Sequence, residues 1–294
     1  MKKCIFKGSG VALITPFNKS GSVNYFELKR LIEFQIASNT NAIIILGTTG
    51  EASTITEPER IKIIKFCVSQ VNGRMPVIVG TGSNSTEKAI FFTKQAEELG
   101  ADGALIVSPY YNKTTQKGLI EHYKLIAKST KLPIIVYNVP SRTGLNILPE
   151  TVLKLAKIKN IVGIKEASGD ISQIVKLLKI KPPSFKVYSG DDLLTYPMLT
   201  MGASGVISVT ANCYPGEVSN LCKLAQNGDF VSALSIHNKL YNINKALFLE
   251  VNPICIKHYM NLLGRNVGGT RPPLTSASKE TKHKLLQTKT LYET

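Results

Sequence analysis

Short apolar runs rich in β-branched residues alternate with longer amphipathic stretches, and the alternation repeats eight times along the chain. An apolar run of about five residues bounded by turn formers is too short for a buried helix; it reads as a strand covered on both faces. VALIT (residues 11–15) predicts the first strand. AIIIL (42–46), PVIVG (76–80), GALIV (103–107), PIIVY (133–137), IVGIK (161–165), FKVYS (185–189) and GVISV (205–209) predict the other seven. Helical periodicity fills the gaps at 24–38, 57–71, 85–99, 116–129, 149–156 and 172–178. A further helix begins at Asp192, whose carboxylate is expected to cap it.

Strand and helix alternating over residues 1–214 predict a closed (β/α)8 barrel, a TIM-barrel α/β fold. An open doubly wound sheet is the competing architecture. It would want a glycine-rich phosphate loop after the first strand, where this chain has Thr15-Pro16-Phe17. Beyond Pro215 the strand signal stops. Helical patterns at 218–226, 230–249, 253–263 and 276–288 predict a C-terminal helical domain over residues 215–294.

Composition changes this picture little. No apolar run approaches the roughly 18 residues of a membrane span, and the first residues lack a secretory apolar core, so a cytoplasmic location is expected. The net charge of +16 raises the possibility of nucleic-acid binding. Only six of the 36 basic residues are arginine, and they are scattered without interleaved aromatics, so no nucleic-acid partner is expected. Five dispersed cysteines, without a CxxC, read as reduced thiols.

Candidate chemistry gathers where the barrel prediction puts it, at the C-terminal ends of the strands. A lone Lys165 ends the sixth strand. Apolar walls there would disfavour its ammonium and leave a neutral amine, a nucleophile toward carbonyls. The plainer reading is a lysine that reaches out to solvent or pairs with Glu166. The second strand is followed by GTTGE (47–51), with Thr48 and Thr49 between glycines, the fourth by SPYYN with Tyr110 and Tyr111. Tyr137 closes the fifth, with Arg142 in the loop beyond it, and Gly190 and Ile207 sit at the seventh and eighth. The plainer alternatives are that the threonines only form the turn, that Arg142 is a surface ion-pair former, and that the paired tyrosines are a contact surface. No strand end offers a metal-binding trio, and no phosphate loop appears. An amine, phenols, hydroxyls and one arginine suit imine formation with a small keto acid, followed by carbon–carbon bond chemistry through an enamine.

GTTGE, SPYYN, YNVPSRTG, GIKEASGD, SGDD and GVISVTAN stand in the order and spacing of the dihydrodipicolinate synthase/N-acetylneuraminate lyase family of class I aldolases, which the chain resembles over its whole length. The resemblance implies that Lys165 forms an imine with pyruvate and that Tyr137 moves protons through Thr48 to Tyr111, the last supplied by a neighbouring subunit. It implies pyruvate binding by Thr49, Gly190 and the Ile207 backbone, no cofactor or metal, and a homotetramer built as a dimer of dimers. The arginine of YNVPSRTG points to the branch that condenses pyruvate with L-aspartate 4-semialdehyde to 4-hydroxy-tetrahydrodipicolinate on the diaminopimelate route to lysine; Arg142 would hold the semialdehyde. The alternative is a sister activity releasing pyruvate from a sugar acid. Members inhibited by lysine carry histidines where Glu57 and Arg60 stand and a glutamate where Lys88 stands. The change of charge predicts weak or absent inhibition here.

Overall fold

The computed structural model describes residues 4–293. Eight parallel strands close into a barrel in sequence order: β1 (Gly8–Ala12), β2 (Ala42–Ile45), β3 (Val77–Gly80), β4 (Gly103–Val107), β5 (Ile134–Asn138), β6 (Ile161–Glu166), β7 (Lys186–Ser189) and β8 (Gly205–Ser208), with β8 paired back onto β1. Around it run α1 (Tyr25–Ala37), α2 (Glu57–Val71), α3 (Thr86–Glu98), α4 (Gln116–Lys128), the single turn α5 (Pro140–Thr143), α6 (Pro149–Leu155), α7 (Ile171–Ile180) and α8 (Thr195–Thr200). The chain ends in α9 (Pro215–Gln226), α10 (Phe230–Ala246), α11 (Ile254–Leu262) and α12 (Lys279–Glu293).

The strand alternation sorts side chains into two cores. Ala42 and Ile44 of β2 face the barrel interior with Ile78, Leu105, Ile135, Val162 and Tyr188, while Ile43 and Ile45 face the helices. Phe6 plugs the N-terminal end. Its ring stacks on Tyr188 at 4.4 Å, and its carbonyl accepts from the Tyr188 hydroxyl at 2.7 Å. The stoppered end leaves the opposite, C-terminal end of the barrel open for a site.

The predicted boundaries move in instructive places. The first strand starts at Gly8, three residues before the apolar run. Its Gly-Ser-Gly opening carries little strand propensity, yet a Cβ on Gly10 would lie 2.8 Å from the Ile44 side chain and 2.9 Å from the Phe6 ring. Close packing, not propensity, selects glycine there. Arg142 sits on the helical turn α5 rather than in an irregular loop. The last helix runs to Glu293, further than its apolar period suggests. Asp192 does not cap a helix. Asp191 caps the single 3-10 turn Asp192–Leu194 that precedes α8, accepting from the Leu193 N–H at 2.9 Å, while Asp192 is buried and accepts from the N–H groups of Val209 and Thr210 at 2.9 and 3.1 Å.

Candidate active site

Lys165 is the fifth residue of β6 and registers with Tyr137 on β5 and Tyr188 on β7. It is 5 % exposed, and its Nζ stands 4.4 Å from the centroid of the Tyr137 ring. Burial pushes the ammonium down to about 8; the Asp192 carboxylate opposes that shift, and the Arg142 guanidinium adds to it. A neutral amine is therefore accessible near neutral pH. Glu166 is not its partner. It turns to the other face of the strand, as the period of two requires, and accepts from Asn138 Nδ2 at 3.0 Å and the Ser168 N–H at 2.7 Å.

The Tyr137 phenol is pushed up to about 12 by burial, against the Arg142 charge and a hydrogen-bonding interaction with the Thr48 side chain. It stays protonated across the physiological range. Amine and phenol thus differ in the direction of their shifts for one reason: burial disfavours whichever form is charged.

These groups line a cavity of about 400 Å³ at the open end of the barrel, together with Thr48, Thr49, Arg142, Gly190 and Asp191. Gly190 lies against the Lys165 side chain. A Cβ there would come within 2.9 Å of Lys165 Cε and 2.8 Å of Ala167 Cβ. Arg142 reaches across the mouth and donates through Nη2 to the Asn252 carbonyl at 3.2 Å.

Six of the eight site residues expected from the sequence line this cavity. Ile207 lies below it in the barrel interior, and Val209, two residues on, lines the wall. Tyr111 stands apart. It is 92 % exposed, does not line this cavity, and holds a left-handed φ of 68°. Such a backbone conformation in a bulky residue costs of order 1–3 kcal/mol.

Residues from the C-terminal helical segment complete the wall: Asn244 and Lys245 of α10, Phe248 and Asn252. Sequence reasoning missed them, because nothing local marks an asparagine 87 positions from Lys165 as part of its site.

A second cavity of about 530 Å³ shares Gly47, Thr48, Tyr137 and Arg142 with the first and extends outward to Glu57, Arg60, Asn84, Lys88 and Tyr110. Arg60 is buried there. Its guanidinium lies 4.4 Å from the centre of the Phe92 ring and donates to the Gly80 carbonyl at 2.8 Å, and burial draws it down to about 10.

Among the described residues no three His, Cys, Asp or Glu side chains converge where they could hold a metal ion, and no helix is long and apolar enough to cross a membrane. The cysteines are free thiols, with Cys67, Cys213, Cys222 and Cys255 buried.

The sequence model of the dihydrodipicolinate synthetase family matches residues 5–291. The 4-hydroxy-tetrahydrodipicolinate synthase of Acetivibrio thermocellus is 52 % identical over 288 residues, which cover 98 % of this chain and 98 % of that protein. Its namesake in Caldicellulosiruptor bescii is 51 % identical, covering 95 % of this chain and 94 % of the relative. The crystal structure of dihydrodipicolinate synthase from Thermotoga maritima superposes with a TM-score of 0.97 at 44 % identity, covering 99 % of both chains. A closed eight-stranded barrel with a buried lysine at the end of its sixth strand, matched end to end by such relatives, places the chain in the dihydrodipicolinate synthetase family.

Proposed function

We propose that this chain is a Schiff-base lyase that condenses pyruvate with L-aspartate 4-semialdehyde to give 4-hydroxy-tetrahydrodipicolinate. The observation that carries the reading is the buried Lys165, its amine near neutrality, set against the protonated Tyr137. The Lys165 nitrogen attacks C2 of pyruvate and the carbonyl oxygen gains a proton from Tyr137. Loss of water gives the imine, and loss of a C3 proton gives the enamine. C3 then attacks the aldehyde carbon, whose oxygen is protonated to a hydroxyl. The substrate's own amine finally adds to the imine carbon and releases Lys165 with ring closure. Water is the only other product, so no oxidant or reductant is needed. The protonated imine is itself the electron sink, which is why the reaction calls for no cofactor or metal.

In this reading Thr49 donates to the pyruvate carboxylate and Arg142 holds the semialdehyde carboxylate by charge-assisted hydrogen bonds. Gly190 leaves room for the imine, and the Ile207 backbone supports the floor. Thr48 relays protons from Tyr137 to Tyr111 of a neighbouring subunit. The strained, exposed Tyr111 supports an assembly in which it enters a partner's site, within a homotetramer. The same reading divides the chain at 214/215, with the catalytic barrel on the N-terminal side and the helical unit that closes one wall on the C-terminal side. A biosynthetic role on small soluble substrates supports a cytoplasmic enzyme that works without nucleic-acid or membrane partners.

Borohydride reduction in the presence of pyruvate, followed by mass spectrometry, tests the chemistry. A single reduced adduct on Lys165 supports it, and a folded protein without one overturns it. Steady-state assays then separate the substrates: turnover with aspartate semialdehyde supports the condensation, and pyruvate release from N-acetylneuraminate or a 2-keto-3-deoxy acid in its place would reassign it. Lysine is expected to inhibit weakly or not at all, because Lys88 and the buried Arg60 in the second cavity repel an ε-ammonium. An inhibition constant below millimolar would refute that.

A further inference from the structure

We infer that Asn252 is a positioning residue, whose side-chain amide fixes the Thr49 hydroxyl so that its proton points at the pyruvate carboxylate. The inference rests on the functional reading above, in which Thr49 holds that carboxylate. Asn252 Nδ2 donates to Thr49 Oγ1 at 2.9 Å, across 203 residues of sequence, and both side chains are buried, at 6 % and 3 % exposure. A hydroxyl has one proton to give and two lone pairs to receive with. With a lone pair occupied by the amide, the Thr49 proton must be directed elsewhere. Both residues line the cavity that holds the Lys165 amine.

Two further observations separate this arrangement from ordinary packing. Asn252 Oδ1 is buried without a hydrogen-bond partner among the described residues. An amide whose only purpose was stability would be expected to satisfy both ends, since a buried orphan acceptor is costly. The Asn252 main-chain carbonyl also accepts from Arg142 Nη2 at 3.2 Å. One residue of the C-terminal segment thus touches both side chains assigned to the carboxylates of the two substrates. The side chain serves the pyruvate end, and the backbone serves the semialdehyde end.

This division makes the test selective. Asn252→Ala removes the donor and keeps the carbonyl. It is expected to raise the pyruvate concentration for half-saturation about tenfold, leaving that for aspartate semialdehyde within about twofold. Asn252→Asp keeps the size but can only accept from Thr49 when ionised, which turns the hydroxyl proton away from the substrate; a larger rise is expected. In a Thr49→Val background, Asn252→Ala should add less than about twofold, because the hydroxyl it orients is gone. Equal losses for both substrates, or additive effects in the double variant, would reduce Asn252 to a packing role. Half-saturation by pyruvate is read from borohydride trapping at Lys165, with thermal melts checking that Asn252→Ala is folded; if it is not, Asn252→Asp carries the test. Failure of wild-type protein to form the adduct would defeat the functional reading itself. An adduct in wild type with unchanged pyruvate dependence in the variants would defeat this inference alone.

Discussion

Lys165 illustrates how a single residue acquires its chemistry from its surroundings. An exposed lysine is a cation at neutral pH. Here the apolar strand walls withdraw solvent and bring the ammonium down to about 8, while Asp192 limits the fall. Adduct formation with pyruvate should therefore rise with pH as the amine deprotonates and level off above about 8. Tyr137, pushed up to about 12, remains a proton donor throughout that window. The rate of borohydride-trapped adduct formation between pH 6 and 9 checks this; a flat profile would mean that the amine is not the titrating group. Gly190 is held to its identity by the same crowding. Gly190→Ala would force approaches of 2.9 Å to Lys165 Cε and 2.8 Å to Ala167 Cβ; it is expected to lower the trapping rate at least tenfold, and the Ala167 contact, which no rotamer change relieves, to lower the melting temperature as well.

At the scale of elements, the loop after β2 shows what the strand-end motifs conceal. Thr48 and Thr49 can be read in GTTGE as candidate ligands, but Glu51 has a different task. It occupies a left-handed conformation, φ 55°, with its carboxylate in a buried ion pair with Lys257 of α11; both side chains are 2 % exposed. Lys257 Nζ also donates to the Gly269 carbonyl at 2.7 Å and stands 3.9 Å from the Phe17 ring centre. The pair therefore bolts the loop bearing Thr48 and Thr49 to the C-terminal helices. Removing one member leaves an uncompensated buried charge, so Lys257→Met is expected to destabilise the fold by roughly 3–5 kcal/mol. Urea unfolding checks it; a loss below about 1 kcal/mol would show that the loop holds itself.

For the molecule as a whole, a second tie joins the C-terminal segment to the barrel. Arg271 pairs with Glu59 at the start of α2 through contacts of 2.5 and 2.8 Å, and donates to the carbonyls of Gly21 and Thr54. Its hydrogen bonds hold the Glu59 carboxyl down at about 2. The native state thus refuses a proton that the unfolded chain takes up near 4.5, so this contribution is complete above about pH 4.5 and is lost as the pH falls toward 2. With Glu59 a quarter exposed, the amount is on the order of 2 kcal/mol. Comparing urea midpoints at pH 6 and pH 3 should show a smaller acid loss in Arg271→Ala than in wild type; equal losses would place the acid sensitivity elsewhere.

Much of this architecture was legible in one dimension, and the reason is local. Eight apolar runs of strand length, each bounded by turn formers, admit few foldings other than a barrel, and a barrel dictates that Lys165, Tyr137 and Thr48 end up at one rim. Periodicity and strand order needed no knowledge of distance. The first strand starts earlier than its apolar run because Gly10 answers to Phe6 and Ile44, contacts absent from the local pattern. Asp192 passed for a cap because a carboxylate beside a helix start looks the same whether it faces the helix or the neighbouring strand. What only the tertiary structure decided is the second half of the site. Asn252, Lys257 and Arg271 meet Thr49, Glu51 and Glu59 across more than 200 residues, and such pairings leave no periodic trace. Hydrophobic burial, which depends on composition along the chain, specified the barrel. Individual polar contacts, which depend on where two distant segments come to rest, specified how its mouth is held.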